Sequence, residues 1–440
     1  MKATFLAGLA ALCLWGHASA GEIHAGYAKT DITPHEPIYM GGYDLRDAPA
    51  EGVHGNDKLY VRALAIDDGA QRVLFLEGDV IMIRDTEEFR KRVAAATGVP
   101  IENILLGDAH NHAAPSPSVK GENKWERQFA EALVATAKQA VGNLQPVRMA
   151  AGDGRSRIAM NRRQVQTQDR DSFQTFDENN SSQSFGKFKT DNPVKVHEFG
   201  GVMRLGANPA GSIDDQVQVV RIDTEAGKPL AVMIHYACHG TSLGGRNSKV
   251  SGEWMGRMQE VIERHMGGGG AMYVQGAAGD INPRVVGGLD GNADDVNVTW
   301  ALGEEIGREV VRVYDSLTPT RWEASIEIAS QDIWLPRTYH EIQQDFRETI
   351  VHTPTTAVRM GDLMWVTFPG ELFHAIGQQV KAACPAKHGF LMGYTNGYIG
   401  YFPEQQAFAE GGYEPGTSHL DPAAESIYLR QINELMKKFH

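Results

Sequence analysis

Ile101-Glu102-Asn103-Ile104-Leu105-Leu106-Gly107-Asp108-Ala109-His110-Asn111-His112-Ala113-Ala114-Pro115 carries the strongest local signal in the chain. Its largely apolar first part, Ile101 to Leu106, reads as a buried strand, and the Gly/Asp/His/Asn/Pro segment after it reads as a loop. Both imidazoles therefore sit where a strand ends and a loop opens. Histidines two apart on an extended strand point to one face, which suits one metal ligand with a second imidazole beside it. A lone His-x-His is common, so further ligands are needed before it signifies a metal.

Working outward, the same strand-then-loop pattern recurs. Leu59 to Ile66, Val73 to Leu76, Val217 to Ile222, Leu230 to Tyr236, Met272 to Val274 and Met364 to Phe368 read as strands. Helices are predicted over Glu87–Thr97, Trp125–Val141, Trp254–His265, Val296–Leu317, Leu372–Ala383 and Ala423–Phe439. In the second of these, Phe129, Leu133, Ala137 and Val141 recur at near-helical spacing. Alternation of strands and helices predicts an α/β fold, a layered domain with a central β-sheet flanked by helices. Arg321 to Arg337 looks antiparallel, so the sheet is expected to be mixed. No repeat or linker divides the chain. Gln164 to Phe199, rich in Asn, Gln, Ser, Asp and Lys, has the composition of a solvated loop, and its length also fits an active-site lid.

Met1-Lys2, the apolar run Ala3 to Gly16 and Ala18-Ser19-Ala20 form a basic start, an apolar stretch and a small-x-small cleavage site. The run is shorter than the roughly 20 apolar residues that span a bilayer. A signal peptide over residues 1–20, cleaved after Ala20, is expected, and with it a periplasmic or secreted location. Export would permit a disulfide between Cys238 and Cys384, which spacing alone does not place together. The formal charge of −13 becomes −14 once Lys2 is removed with the leader. With no long basic run, this balance argues against nucleic acid and against electrostatic docking to an anionic surface.

Three more segments carry chemistry. His239 follows the strand Leu230 to Tyr236 and enters Gly240-Thr241-Ser242-Leu243-Gly244. Phe368-Pro369-Gly370-Glu371 places a carboxylate at another strand end. Histidine, histidine and glutamate at three strand ends fit catalytic zinc, which keeps one position open. Gly240 to Gly244 also matches the G-x-S-x-G nucleophile elbow, with Ser242 as the nucleophile of a serine hydrolase, although an elbow should run straight into a helix. Gly276-Ala277-Ala278-Gly279-Asp280-Ile281-Asn282-Pro283-Arg284 is a glycine-rich turn without the Lys-Ser/Thr of a phosphate loop.

Taken together and in order, these segments resemble the neutral (non-lysosomal) ceramidase family. The resemblance runs through Ala25-Gly26-Tyr27-Ala28-Lys29-Thr30-Asp31-Ile32-Thr33-Pro34, Met40-Gly41-Gly42-Tyr43, His110-Asn111-His112 and Asn161-Arg162-Arg163. It continues through His239-Gly240-Thr241-Ser242, Ser251-Gly252-Glu253, Gly279-Asp280, Pro369-Gly370-Glu371 and Asn396-Gly397-Tyr398-Ile399-Gly400-Tyr401. It implies one catalytic Zn2+ held by His110, His239, Glu371 and Tyr401, with zinc-bound water attacking the amide carbonyl of ceramide or a related N-acyl lipid. His112 would orient the ligands or transfer a proton, and Arg162 and Tyr398 would donate to the developing oxyanion. Gly279 and Asp280 would lie at the substrate. A lipid-like substrate implies transient contact with a membrane surface. No oligomeric state follows.

Two departures bear on these expectations. The family's Gly-Asp-x-Ser-Pro-Asn reads Gly279-Asp280-Ile281-Asn282-Pro283-Arg284 here. Asn282 cannot be an acyl-accepting nucleophile but can donate a hydrogen bond at the site. Arg284 adds a charge that could meet a carboxylate or phosphate on a different head group. These two residues motivate an alternative in which zinc hydrolyses a more polar N-acyl compound or ester. A non-catalytic exported binding protein is a third reading, resting on Asn282 alone. Family enzymes also usually continue into a C-terminal β-sandwich, so residues 21–440 are expected to form the catalytic domain alone.

Overall fold

Side chains alternate between two cores along the strand Arg72–Gly78: Leu74 and Leu76 on one face, Val73 and Phe75 on the other. This period of two is the geometry of an extended chain buried on both sides. The same split recurs along Pro229–Tyr236, with Val232, Ile234 and Tyr236 opposite Ala231 and Met233. The computed structural model of the protein describes residues 21–43, 46–167, 201–287, 296–338 and 349–439.

These strands belong to a nine-stranded mixed sheet. Gly270–Gln275 lies at one end of its path and Ile104–Asp108 at the other, each parallel to its neighbour, while the pairings between them are antiparallel. One face is covered by helices. Lys124–Gly142 lays Phe129, Leu133 and Ala137 against Val61, Ala63 and Leu74, and Glu253–Met266 and Val296–Ser316 cover Val232 and Tyr273. Lys124–Gly142 begins where it does because Asn123 Oδ1 accepts the Glu126 amide at 2.8 Å.

The opposite face carries a second, four-stranded sheet: Ile326–Pro336, Ile350–Met360, Leu363–Thr367 and His388–Met392. Trp365 and Phe390 from it stack at 5.4 Å, and Trp365 meets Phe75 of the large sheet at 5.1 Å. Its far face, with Met364, Val366 and Leu391, is covered by His374–Ala383 and Ala424–Met436 through Ile376, Val380, Tyr428 and Ile432. The expected layered α/β domain with a mixed sheet is therefore what forms, in four layers: helix, sheet, sheet, helix. Among the described residues, no helix is long and apolar enough to cross a membrane.

The layers bring strand ends together at one place. Gln275 Nε2, from the last residue of one edge strand, donates to Cys238 O at 2.8 Å and to Ala109 O at 3.3 Å, past the end of the other. Gly393 N donates to Gln275 O and Asn396 N to Leu106 O, tying the second sheet to the same spot. Cys238 and Cys384 are both free thiols, so no bond joins them. Of the stretch Gln164 to Phe199, Gln164–Thr167 ends the strand Ala159–Thr167; the remainder, like the expected leader at 1–20, lies outside the described residues.

Candidate metal centre

The strand Ile104–Asp108 stops two residues before His110, which takes a left-handed conformation (φ 52°). The two imidazoles therefore converge through a turn, and the expectation that strand pleating aligns them is corrected: the strand ends too early for it. Asp108 enforces the turn, its carboxylate accepting the amides of His110 (3.1 Å) and Ile83 (3.0 Å). Tyr394 (φ 53°) and Asn396 (φ 65°) are left-handed as well. Non-glycine residues take this conformation at a cost of about 1–2 kcal/mol each, and here three of them surround one site.

Loop pairing then brings in the third imidazole. Asn111 bridges Gly240, and His112 N donates to Gly240 O at 2.9 Å, which sets His239 beside the first loop. The ring centroids of His110 lie 4.8 Å from His112 and 4.9 Å from His239, all buried. Candidate ligand atoms of the three lie within 4.8 Å of one another. Glu371 enters from the second sheet: its two-residue strand Glu371–Leu372 pairs with Tyr401–Phe402, so Glu371 and Tyr401 are register partners. Glu371 Oε2 is 3.1 Å from His239 Nε2 and 3.6 Å from His110 Nε2, and Tyr398 OH donates to Glu371 Oε1.

The donor set fits a divalent metal. His110 Nδ1 donates to Ile81 O (3.0 Å), which leaves the His110 Nε2 lone pair for the centre of the cluster, and His239 Nδ1 donates to Ala278 O (2.7 Å), which makes His239 Nε2 an acceptor beside Glu371. His110 Nε2 and both ring nitrogens of His112 are buried without a protein hydrogen bond, a costly arrangement that a ligand would relieve. Burial holds His110 neutral, its pKa lowered to about 3, and pushes His112 well below its ordinary range. Burial alone would raise Glu371, yet His110, His239 and Arg162 outweigh it and hold the carboxyl at about 2. A neutral His110 imidazole facing an ionised Glu371 carboxylate is what metal binding requires.

Arg162 lies 3% exposed, under this cluster. It donates from Nη2 to Tyr401 OH (3.0 Å) and Gly279 O (2.8 Å), from Nη1 to Asn282 Oδ1 (3.1 Å) and from Nε to Glu414 Oε1 (2.8 Å). Its remaining N–H faces His239 Nε2 at 3.2 Å. Burial pushes the Tyr401 hydroxyl well above its ordinary range, with the Arg162 charge working in the other direction.

A profile of the neutral/alkaline non-lysosomal ceramidase family, N-terminal part, matches residues 23–299, more than half the chain. The chain belongs to that family. Neutral ceramidase A of Dictyostelium discoideum is 22% identical over 310 residues, taking in 62% of this chain and 39% of that protein. The match thus spans well under half of that relative's length. The crystal structure of neutral ceramidase from Pseudomonas aeruginosa superposes with a TM-score of 0.72 at 18% identity, covering 94% of this chain and 74% of that one. A ceramidase complexed with C2 matches with the same TM-score and identity over 75% of its length. At this identity the likeness is one of fold.

Not every residue singled out in this ceramidase-family sequence meets the cluster. Asp280 is buried with its carboxylate spent on His374 N (2.9 Å), His374 Nδ1 (2.6 Å) and Asn161 Nδ2 (3.2 Å), so it anchors the turn and is not offered to a substrate. Arg284 is engaged bidentately by Glu305 at 2.9 and 2.6 Å, which neutralises the charge expected for a head group. Arg162 touches protein on at least four of its five N–H groups, so it holds Tyr401 and Asn282 in place of a substrate carbonyl. Gly279 serves by being small: a methyl there would lie 2.4 Å from Glu371 O. Ser242 Oγ donates to Glu253 and accepts from Thr299 Oγ1 (2.8 Å), and the helix starts only at Glu253, so the elbow geometry is absent.

Three contacts escaped the sequence reading, which quoted Gly42 and Tyr43 only as part of a motif. Tyr394 stacks on His110 at 4.2 Å, signalled only by a Gly-Tyr-Thr-Asn turn after a strand. Gly42 (φ +88°) lies over His112, where a methyl would meet Nδ1 at 2.3 Å, and Tyr43 packs edge-on at 4.9 Å. Glu414 holds Arg162, and nothing near it in sequence marks it.

Proposed function

We propose that the protein is a zinc-dependent amidohydrolase that releases a fatty acid from ceramide or a related N-acyl lipid. The single observation that carries this is the buried cluster of His110, His112 and His239 with the Glu371 carboxylate beside it, in a chain of the ceramidase family. His110, His239, Glu371 and Tyr401 are the residues that would hold the ion. Zinc, when bound, supplies Lewis acidity that polarises the amide carbonyl and acidifies water.

The chain's own residues divide the remaining work. His110 and His239 are locked in one tautomer by the carbonyls of Ile81 and Ala278. Arg162 favours the ionised form of Tyr401 by donating to its oxygen. His112, neutral and with both ring nitrogens unpaired, accepts the proton of the attacking water and returns it to the leaving amine. Tyr398 is kept protonated by burial and by the neighbouring Glu371 carboxylate, to which its one O–H donates, so it would serve a developing oxyanion only by turning away from Glu371. The expected leader at residues 1–20 supports export to a periplasm or the medium.

Asn282 supports a second reading, in which the substrate is a more polar N-acyl compound. Its Oδ1 accepts from both Arg162 and Thr241 (3.4 Å), a structural duty where the family has serine. Assaying ceramides beside N-acyl amino acids separates the two readings. His110→Ala and His239→Ala are each expected to abolish zinc binding and turnover. Full activity in either variant refutes the proposed centre.

A further inference from the structure

Strand Ala159–Thr167 places two arginines next to each other, Arg162 and Arg163, on a strand whose pairing shifts register between Asn161 and Arg163. On a regular strand, neighbours point to opposite faces. Here the shift lets both guanidinium groups reach one carboxylate. Glu414, 1% exposed, takes Arg162 Nε on Oε1 (2.8 Å) and Arg163 Nη1 on Oε2 (3.0 Å). Arg163 Nη2 then donates to Glu410 Oε2 (3.1 Å) and Gly411 O (2.9 Å). Charges alternate along this row, and its inner end is the arginine that holds Tyr401 and faces His239.

We propose that Glu414 is a positioning residue for the metal centre, acting through Arg162; this rests on the metal reading given above. Two physical consequences follow from the geometry. Glu414 neutralises a guanidinium that would otherwise present a bare positive charge to an incoming dication, and such a buried like charge disfavours the ion. It also fixes the guanidinium plane from the Nε edge, which leaves the Nη edge aimed at Tyr401, Asn282 and Gly279. Partners that orient ligands in this way typically contribute about 10–100-fold to metal affinity or activity.

The test uses the full chain and zinc alone as probe, with affinity read by competition against a chromophoric chelator, so turnover is not required. Glu414→Gln keeps shape and one acceptor but removes the charge; its zinc affinity is expected to fall about 10–100-fold. Where turnover is followed, kcat should fall while KM holds. Glu410→Gln touches only the Arg163 end of the row and is expected to leave zinc affinity unchanged. Should Glu414→Gln not fold, Glu414→Asp, which keeps the charge on a shorter arm, is expected to weaken zinc about threefold or more. Unchanged affinity in a folded Glu414 variant overturns the proposal, as does an equal loss in Glu410→Gln. A wild-type chain that takes up no zinc overturns the reading of the centre itself, and this inference with it.

Discussion

Replacing Gly279 by alanine adds one methyl at the point where two loops of the centre touch. That methyl would stand 2.4 Å from Glu371 O and 2.9 Å from Glu371 C, whereas ordinary contact begins at 3.4 Å. Both atoms are backbone, so no side chain can rotate away, and the loops must part by about 1 Å. Gly279 N also donates to Leu372 O (2.9 Å), and Gly279 O accepts from Arg162, so the displacement reaches the carboxylate and the guanidinium together. Overpacking of this kind destabilises by about 1–3 kcal/mol. A 1 Å misplacement of a reacting constellation costs on the order of 100-fold in rate. Thermal unfolding of the metal-free chain reads the first effect; zinc competition and turnover read the second. A Gly279→Ala protein that unfolds like wild type and keeps its zinc affinity would show that the two loops do not touch as described.

Two other outcomes follow from the same geometry. Ser242→Ala leaves the buried Glu253 carboxylate one donor short and is expected to destabilise the fold by about 1–3 kcal/mol while leaving kcat unchanged; loss of turnover in a folded variant would return Ser242 to the chemistry. For His374, burial works against protonation, but Asp280 raises its pKa, while His374 in turn helps hold Asp280 below its ordinary value. A raised histidine contributes stability below its ordinary 6.5 that is lost as pH rises through the folded value, and a lowered aspartate contributes above 3.8 that is lost as pH falls. The unfolding temperature of His374→Gln is therefore expected to lie furthest below wild type between those two values and to converge on it at alkaline and strongly acid pH; a gap independent of pH would contradict the ion pair.

Much of the fold was legible because the strands buried on both faces carry unbroken apolar runs, as in Val73 to Leu76 and Leu230 to Ile234. The second sheet was less so. Ile350–Met360 is threonine-rich and interrupted by Pro354, which is tolerated because only residues 357–360 of that strand pair on the second side. His24–Asp31, with glycine and charges among its eight residues, also lacks a clean alternation. At the site, His110, His239 and Glu371 could be found because each follows a strand end. Tyr394 and Glu414 could not, and Gly42 stood only inside a quoted motif without a role, since all three roles arise from contacts across the fold: a ring on His110, a carboxylate under Arg162, a missing side chain over His112. Asp280 and Arg284 misled for the same reason. Their partners, His374 and Glu305, lie 94 and 21 residues away.

The most direct measurement of the central claim is fatty-acid release from a fluorescent short-chain ceramide by the purified chain, before chelation, after chelation and after zinc is restored. Release that disappears with the metal and returns with it is the predicted result. Release that survives complete removal of zinc, in a protein whose His110 and His239 remain intact, would contradict the account.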